Sequence, residues 1–239
     1  MQIYNTGNSA TGLVKMFIYG LAGAGKTPLA ATYPDTLLIA TEPGTLSLRR
    51  ARLPYVIAQT QKEAMEVINW AKGSREAYKF NHFFFDRSSS LSESILTANA
   101  KRLRDRRLYS PATYDDTMEV INAFLSIPKH LVMTCKALEV TEEIPAPVGT
   151  WKPGETNQPT LVKRVEPFCA VPKLGPAQPY LFDEVFYVSR HEGATPGADY
   201  SALRCKENGH TRYTRDRSSM LDLWEPADIS HIIRKINGV

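Results

Sequence analysis

Apolar residues in this chain fall in short blocks separated by polar, Gly- or Pro-containing stretches, and the blocks alternate between two spacings. Val14–Tyr19, Thr36–Ala40, Tyr55–Ala58, Phe83–Phe85 and His130–Thr134 have the length and the β-branched or aromatic content of buried strands. Between them, Gln61–Ala71 puts Ala64, Met65 and Ile68 on one helical face. Met118, Ile121, Phe124 and Leu125 share another face, with Asp115 or Asp116 as the cap. Buried strands alternating with amphipathic helices predict an α/β fold, a mainly parallel sheet flanked by helices. The pattern lapses over Thr141–Tyr180, where eight of the sixteen prolines lie, and the expectation there is a long irregular excursion. Regular structure resumes with Glu184–Val188, a strand near Ala202–Cys205 and a helix over Asp228–Ile236. No internal repeat is visible, so residues 1–239 read as a single domain carrying the Pro-rich excursion 141–180.

The first strand runs into Gly20-Leu21-Ala22-Gly23-Ala24-Gly25-Lys26-Thr27, a complete G-x-x-x-x-G-K-[ST] pattern in the strand–loop–helix setting that it requires. Its glycines let several backbone N–H groups converge on one anion, and a helix N-terminus adds positive potential. Gly20, Ala22, Gly23, Ala24, Gly25, Lys26, Thr27 and Pro28 are therefore the candidate contacts to a nucleoside triphosphate. Lys26 would reach the β- and γ-phosphates, and the Thr27 hydroxyl would hold Mg²⁺. Pro28 falls in the first helical turn, where a missing N–H costs little.

Composition narrows the picture further. Cys135, Cys169 and Cys205 form no C-x-x-C pair or even set, which suits a reducing cytoplasm, and the five histidines lack metal-ligand spacing. No apolar run is long enough to span a membrane, and the N-terminal residues lack a signal-peptide pattern. The formal charge of +4 allows nucleic-acid binding without arguing for it.

Hydrolysis needs support for Mg²⁺ and a group that activates water. Asp86, at the end of the Phe83–Phe85 strand, is the natural metal partner of Thr27; the plainer reading is a strand-end residue capping the Ser88–Ser90 stretch. Arg87 follows it, so the catalytic carboxylate comes from elsewhere. Glu42, just past the second strand, falls on the sheet edge where ligands of open α/β sheets bind, and is the candidate general base beside Lys26. Otherwise it is a solvated charge next to the Pro43-Gly44 turn.

Strand–phosphate loop, then Leu37-Leu38-Ile39-Ala40-Thr41-Glu42-Pro43-Gly44-Thr45-Leu46-Ser47-Leu48, an apolar strand ending in Asp86, Pro128–Lys136 and Phe182-Asp183-Glu184-Val185-Phe186 together resemble the phage-encoded RecA-like ATPases. More narrowly they resemble the fourth group of Sak-class single-strand-annealing recombinases, over roughly Leu13 to Leu223. The resemblance implies a RecA-like P-loop NTPase core with Glu42 as the catalytic glutamate, Asp86 as the Walker B aspartate and Thr134–Lys136 at the sensor position. It departs at that sensor, where RecA proteins carry glutamine, and at Arg87, where relatives carry Ser or Thr. It implies Mg²⁺-ATP-dependent binding of single-stranded DNA in phage recombination, a homo-oligomeric ring or filament, a phage single-strand-binding protein as a further partner, and the host cytoplasm as the setting.

Within that architecture, Lys101, Arg102 and Arg104 fall where the first DNA loop is expected, and Trp151, Lys163 and Arg164 where the second is; each run is otherwise a solvated charged surface. Lys206 and Arg217 are the candidates for a finger reaching a neighbour's nucleotide, rather than surface ion-pair partners. Two other functions fit a phosphate loop: a small-molecule kinase, and a nucleotide-gated clamp or loader that binds partner proteins. The kinase lacks an acceptor-binding arginine pattern after the third strand.

Overall fold

The computed structural model describes residues 12–43, 46–144, 160–195 and 197–238. Its elements in chain order are β1 (Lys15–Gly20), β2 (Thr36–Ala40), β3 (Tyr55–Ile57), α1 (Gln61–Gly73), β4 (His82–Asp86), α2 (Ser88–Arg102), α3 (Tyr109–Leu125) and β5 (His130–Ile144). They continue with β6 (Thr160–Phe168), α4 (Leu174–Ala177), β7 (Glu184–His191), β8 (Tyr200–Arg204), β9 (Arg215–Asp216), β10 (Trp224–Pro226) and α5 (Ile229–Asn237). The sheet runs β10-β8-β7-β1-β5-β4-β2-β3, with β6 on β5 and β9 on β7. From β7 to β3 all pairings are parallel, while β8, β10, β9 and β6 join antiparallel. This is the expected α/β fold of a P-loop NTPase.

The central strands are apolar throughout because both faces are covered. On one face Phe17, Phe83, Phe85 and Met133 pack against Leu91 and Ile95 of α2 and Ile121 and Phe124 of α3. On the other, Met16, Ile18, Phe84 and Val132 meet Leu29, Ile229, Ile232 and Ile233. Among the described residues no helix is long and apolar enough to cross a membrane.

Three expectations change. The segment after the phosphate loop is a 3-10 helix of six residues, Thr27–Thr32, with Pro28 in its first turn and extended backbone by Tyr33. Two strands reorganise the excursion 141–180. β5 does not stop at Thr134; beyond Lys136 it leaves the parallel sheet and pairs with β6 from Lys136↔Phe168 to Ile144↔Thr160. At about 3.3 Å per residue this hairpin extends some 25 Å past the sheet edge. Finally, α3 starts at Tyr109, so Asp115 and Asp116 lie inside it. Asp105 accepts from the Arg107 N–H at 2.9 Å and caps the 3-10 turn that leads in. The stripe begins with buried threonines: Thr113 receives the Asn99 amide at 3.3 Å, and the Thr117 hydroxyl donates to Thr113 O at 2.7 Å.

Candidate active site

β1 delivers the chain to the C-terminal sheet edge, and the Leu21–Lys26 turn reverses it. Gly23 and Gly25 take φ of +77° and +98°, values L side chains rarely adopt. A Cβ on Gly25 would also collide with the Ser201 hydroxyl of β8, which donates to Ala24 O at 3.0 Å and pins the loop against the sheet. Ala22, Gly23, Gly25, Lys26, Thr27 and Pro28 form one wall of a cleft of about 470 Å³; Arg87, Lys136 and Phe168 line it opposite. Gly20 ends β1 under the loop, and Ala24 is buried behind it.

The buried Lys26 ammonium donates to Gly20 O at 2.6 Å and Leu21 O at 2.7 Å, so it is held over the loop's concave side. Burial pushes its pKa down to about 8, with Asp86 opposing the shift. A phosphate ligand needs the protonated form, so ATP affinity is expected to be flat below about pH 8. It should then weaken as pH rises toward the higher pKa that Lys26 acquires beside phosphate, approaching tenfold per unit. Titrating ATP from pH 6.5 to 9.5 reads this directly, and constant affinity through pH 9 would remove Lys26 from the phosphates.

Asp86 ends β4 with both carboxylate oxygens engaged: Thr27 Oγ1 donates to Oδ2 and Thr134 Oγ1 to Oδ1, each at 2.8 Å. Burial pushes this carboxyl up, and the two hydroxyls and Lys26 pull it back. Thr134 also accepts the Arg87 N–H at 2.8 Å. One hydroxyl of β5 therefore ties the Asp86 side chain to the following backbone. Arg87 sits in the left-handed region, φ 75°, an uncommon state for a non-glycine residue. It is held there because its carbonyl accepts from Thr41 Oγ1 at 3.1 Å and the Ser90 N–H at 3.0 Å. That backbone turn aims the guanidinium at Glu42, with which it pairs, and Ser90 Oγ donates to the same Glu42 oxygen at 3.3 Å.

The fold thus brings Lys26, Thr27, Asp86 and Glu42 to one edge. Among the described residues no group of three His, Cys, Asp or Glu could hold a metal alone. A hard hydroxyl–carboxylate pair, Thr27 and Asp86, is what Mg²⁺ uses when phosphates and water complete its shell. When bound there, the ion neutralises phosphate charge.

The other candidate residues are more dispersed. Lys101 and Arg102 end α2, and Arg104 follows. Arg102 lines a surface hollow with Thr60 and Gln61 at the start of α1, and is engaged by Asn99 Oδ1 at 2.7 Å and Asp116 at 3.7 Å. Lys163 on β6 is exposed, whereas Arg164 is mostly covered and paired with Glu142 across the hairpin at 3.0 Å. Trp151 lies outside the described residues. Lys206 and Arg217 are exposed and do not line the Lys26 cleft. Two participants escaped the sequence reading. Ser88 Oγ donates to Gln178 at 2.7 Å, and Gln178 Nε2 donates to Cys169 Sγ at 2.8 Å, tying the start of α2 to the segment behind β6. A 90-residue separation hid the first contact.

A family model described as an AAA domain matches residues 13–166, which include Lys26, Glu42, Asp86, Thr134 and nearly all of the hairpin. No curated protein matches the chain.

Proposed function

The chain belongs to the AAA domain family of P-loop ATPases, and on that premise we propose that it hydrolyses Mg²⁺-ATP in response to single-stranded DNA during phage recombination. The narrower likeness to Sak-class annealing ATPases, a homo-oligomeric ring or filament, a phage single-strand-binding partner and the host cytoplasm are parts of this proposal. Lys26 and the loop amides bind the phosphates, Thr27 and Asp86 hold the ion, and Glu42 accepts a proton from the attacking water. The observation that carries the DNA reading is the continuity of β5. The same strand supplies Thr134 to Asp86 and then forms an arm of the projecting hairpin with exposed Lys163. A strand bonded to the nucleotide edge is a physical route by which nucleotide state and a nucleic-acid surface can bias one another.

Single strands bind through phosphate pairing and base stacking, and the two separate by salt dependence. Lys101 and Arg104 are exposed and suit the electrostatic test better than Arg102, which has partners in place. Changing both to Ala should weaken binding to a single-stranded oligonucleotide and reduce the salt slope by about 0.7 per lost contact. Trp151→Ala should cost about 1–3 kcal/mol with the slope unchanged. DNA-stimulated ATPase should fall in both variants while basal ATPase persists. Unchanged affinity and slope in all variants would favour a nucleotide-gated clamp that binds proteins.

A further inference from the structure

β7, β8 and β10 close one side of the sheet, and alternation along them puts one set of side chains on a common face. In register, His191 lies beside Tyr200 and Tyr187 beside Arg204, while β10 sets Trp224 next to Arg204 and Pro226 next to Ala202. The Ser201 hydroxyl turns to the opposite face, where it meets Ala24. The common face holds a hollow of about 600 Å³ with His191, Tyr200, Trp224 and Pro226 among its walls. His191 stacks on Tyr200 with ring centroids 5.3 Å apart and planes 18° apart, and stands edge-on to Trp224 at 5.0 Å. Tyr200 stays 57% exposed and Trp224 37%. The Arg204 guanidinium lies over the Trp224 ring, 5.2 Å from its centroid. Glu225, the acidic member of the lining, is 4% exposed and already holds Lys235 at 2.6 Å and the Asp222 N–H at 2.7 Å. The same face leads to the projecting hairpin. Tyr187 meets His210 edge-on at 6.3 Å, and His210 is tied to β6 by Nδ1 at 3.0 Å from Lys163 O and by its carbonyl, which accepts the Val165 N–H at 2.9 Å. Among the described residues neither Arg204 nor Lys163 is paired with a carboxylate.

We infer that this sheet face is a stacking platform for the bases of single-stranded DNA, a second contact surface beside the hairpin; the inference rests on the DNA reading above. Every base has a π-face, so open rings beside an arginine hold a single strand without reading its sequence. Tyr200 and Trp224 offer the ring surface, and Arg204 and Lys163 carry the uncompensated charge that a phosphate backbone needs. A duplex keeps its base faces inside its own stack, so the platform favours single strands. Tyr187 and His210 join the two surfaces, and one strand can therefore run from the hollow to Lys163 on the hairpin.

The test measures binding to an oligothymidylate and to an abasic oligonucleotide of the same length, over a series of salt concentrations. Tyr200→Ala removes an open ring and should weaken the oligothymidylate about tenfold, with its salt slope unchanged and the abasic strand unaffected. Arg204→Gln should weaken both strands and reduce the slope by about 0.7. ATP affinity should match the parent's in both variants, because neither side chain lines the phosphate cleft. Equal losses for the two strands in Tyr200→Ala would mean that the ring supports the fold rather than a base, and would overturn the inference. Full affinity of Tyr200→Ala for the oligothymidylate would overturn it too, leaving the contacts at Lys101, Arg104 and Trp151 standing. A parent protein that binds neither strand would remove the DNA reading itself, and this platform with it.

Discussion

Glu42→Gln is expected to hold Mg²⁺-ATP as tightly as the parent and to hydrolyse it slower by two orders of magnitude or more, the range that a positioned general base contributes. The substitution is close to isosteric. The amide can still accept from Ser90, which donates to the Glu42 carboxylate at 3.3 Å, so the side chain keeps one anchor. It loses its ion pair with Arg87, a contact between side chains 39% and 35% exposed. An ion pair so open to solvent is worth about 0–1 kcal/mol, so the fold should survive. What disappears is the ability to take a proton from water. Equilibrium binding of ATP and single-turnover hydrolysis, measured side by side, separate the two effects. Turnover within a few-fold of the parent would return Glu42 to a turn residue and place the base elsewhere.

Lys26→Ala attacks the other side of the reaction. Its ammonium is the one lysine charge lining the loop wall of the cleft, and charge-assisted bonds to phosphate are worth about 1.5–3 kcal/mol each. ATP affinity should fall at least tenfold and hydrolysis should stop. The folded protein should not suffer, because burial already disfavours this ammonium in the free state. Removing it leaves Gly20 O and Leu21 O without a donor, a modest cost at a loop that opens on the cleft. A melting temperature close to the parent's, with no turnover, is the expected pair of results. Normal turnover would exclude the loop as the phosphate site.

The residues that gather at the candidate site were the easiest to place from sequence. Lys26 and Thr27 are fixed by local spacing, and Asp86 announces itself as a charge ending an aromatic strand that could only be buried. The partners of those residues were harder. Glu42 and Arg87 follow different strands, β2 and β4, and their meeting depends on the left-handed backbone at Arg87, which no side-chain pattern encodes. The hairpin was missed for a different reason. Its arms carry Glu139, Glu142, Glu143, Lys163, Arg164 and Glu166, and beyond the sheet edge neither arm has a large core to bury, so apolar alternation is faint. Cross-strand pairs such as Glu142–Arg164 do work that hydrophobic periodicity does elsewhere. In α3 the buried stripe opens with Thr113 and Thr117, whose hydrogen bonds make burial tolerable but whose residue type reads as polar.

The hydroxyl of Thr134 touches Asp86 near the point where β5 emerges from the sheet, and the strand then continues unbroken to Ile144. Mechanically this is a lever with its fulcrum at the Asp86 carboxylate. A tilt of about 5° at the fulcrum carries the far end of a 25 Å arm through about 2 Å, a large displacement for the small adjustments that nucleotide exchange makes at an aspartate. Stiffening the arm with extra cross-strand pairs, or interrupting it with a glycine near Val140, would therefore change how far a signal travels without altering either end.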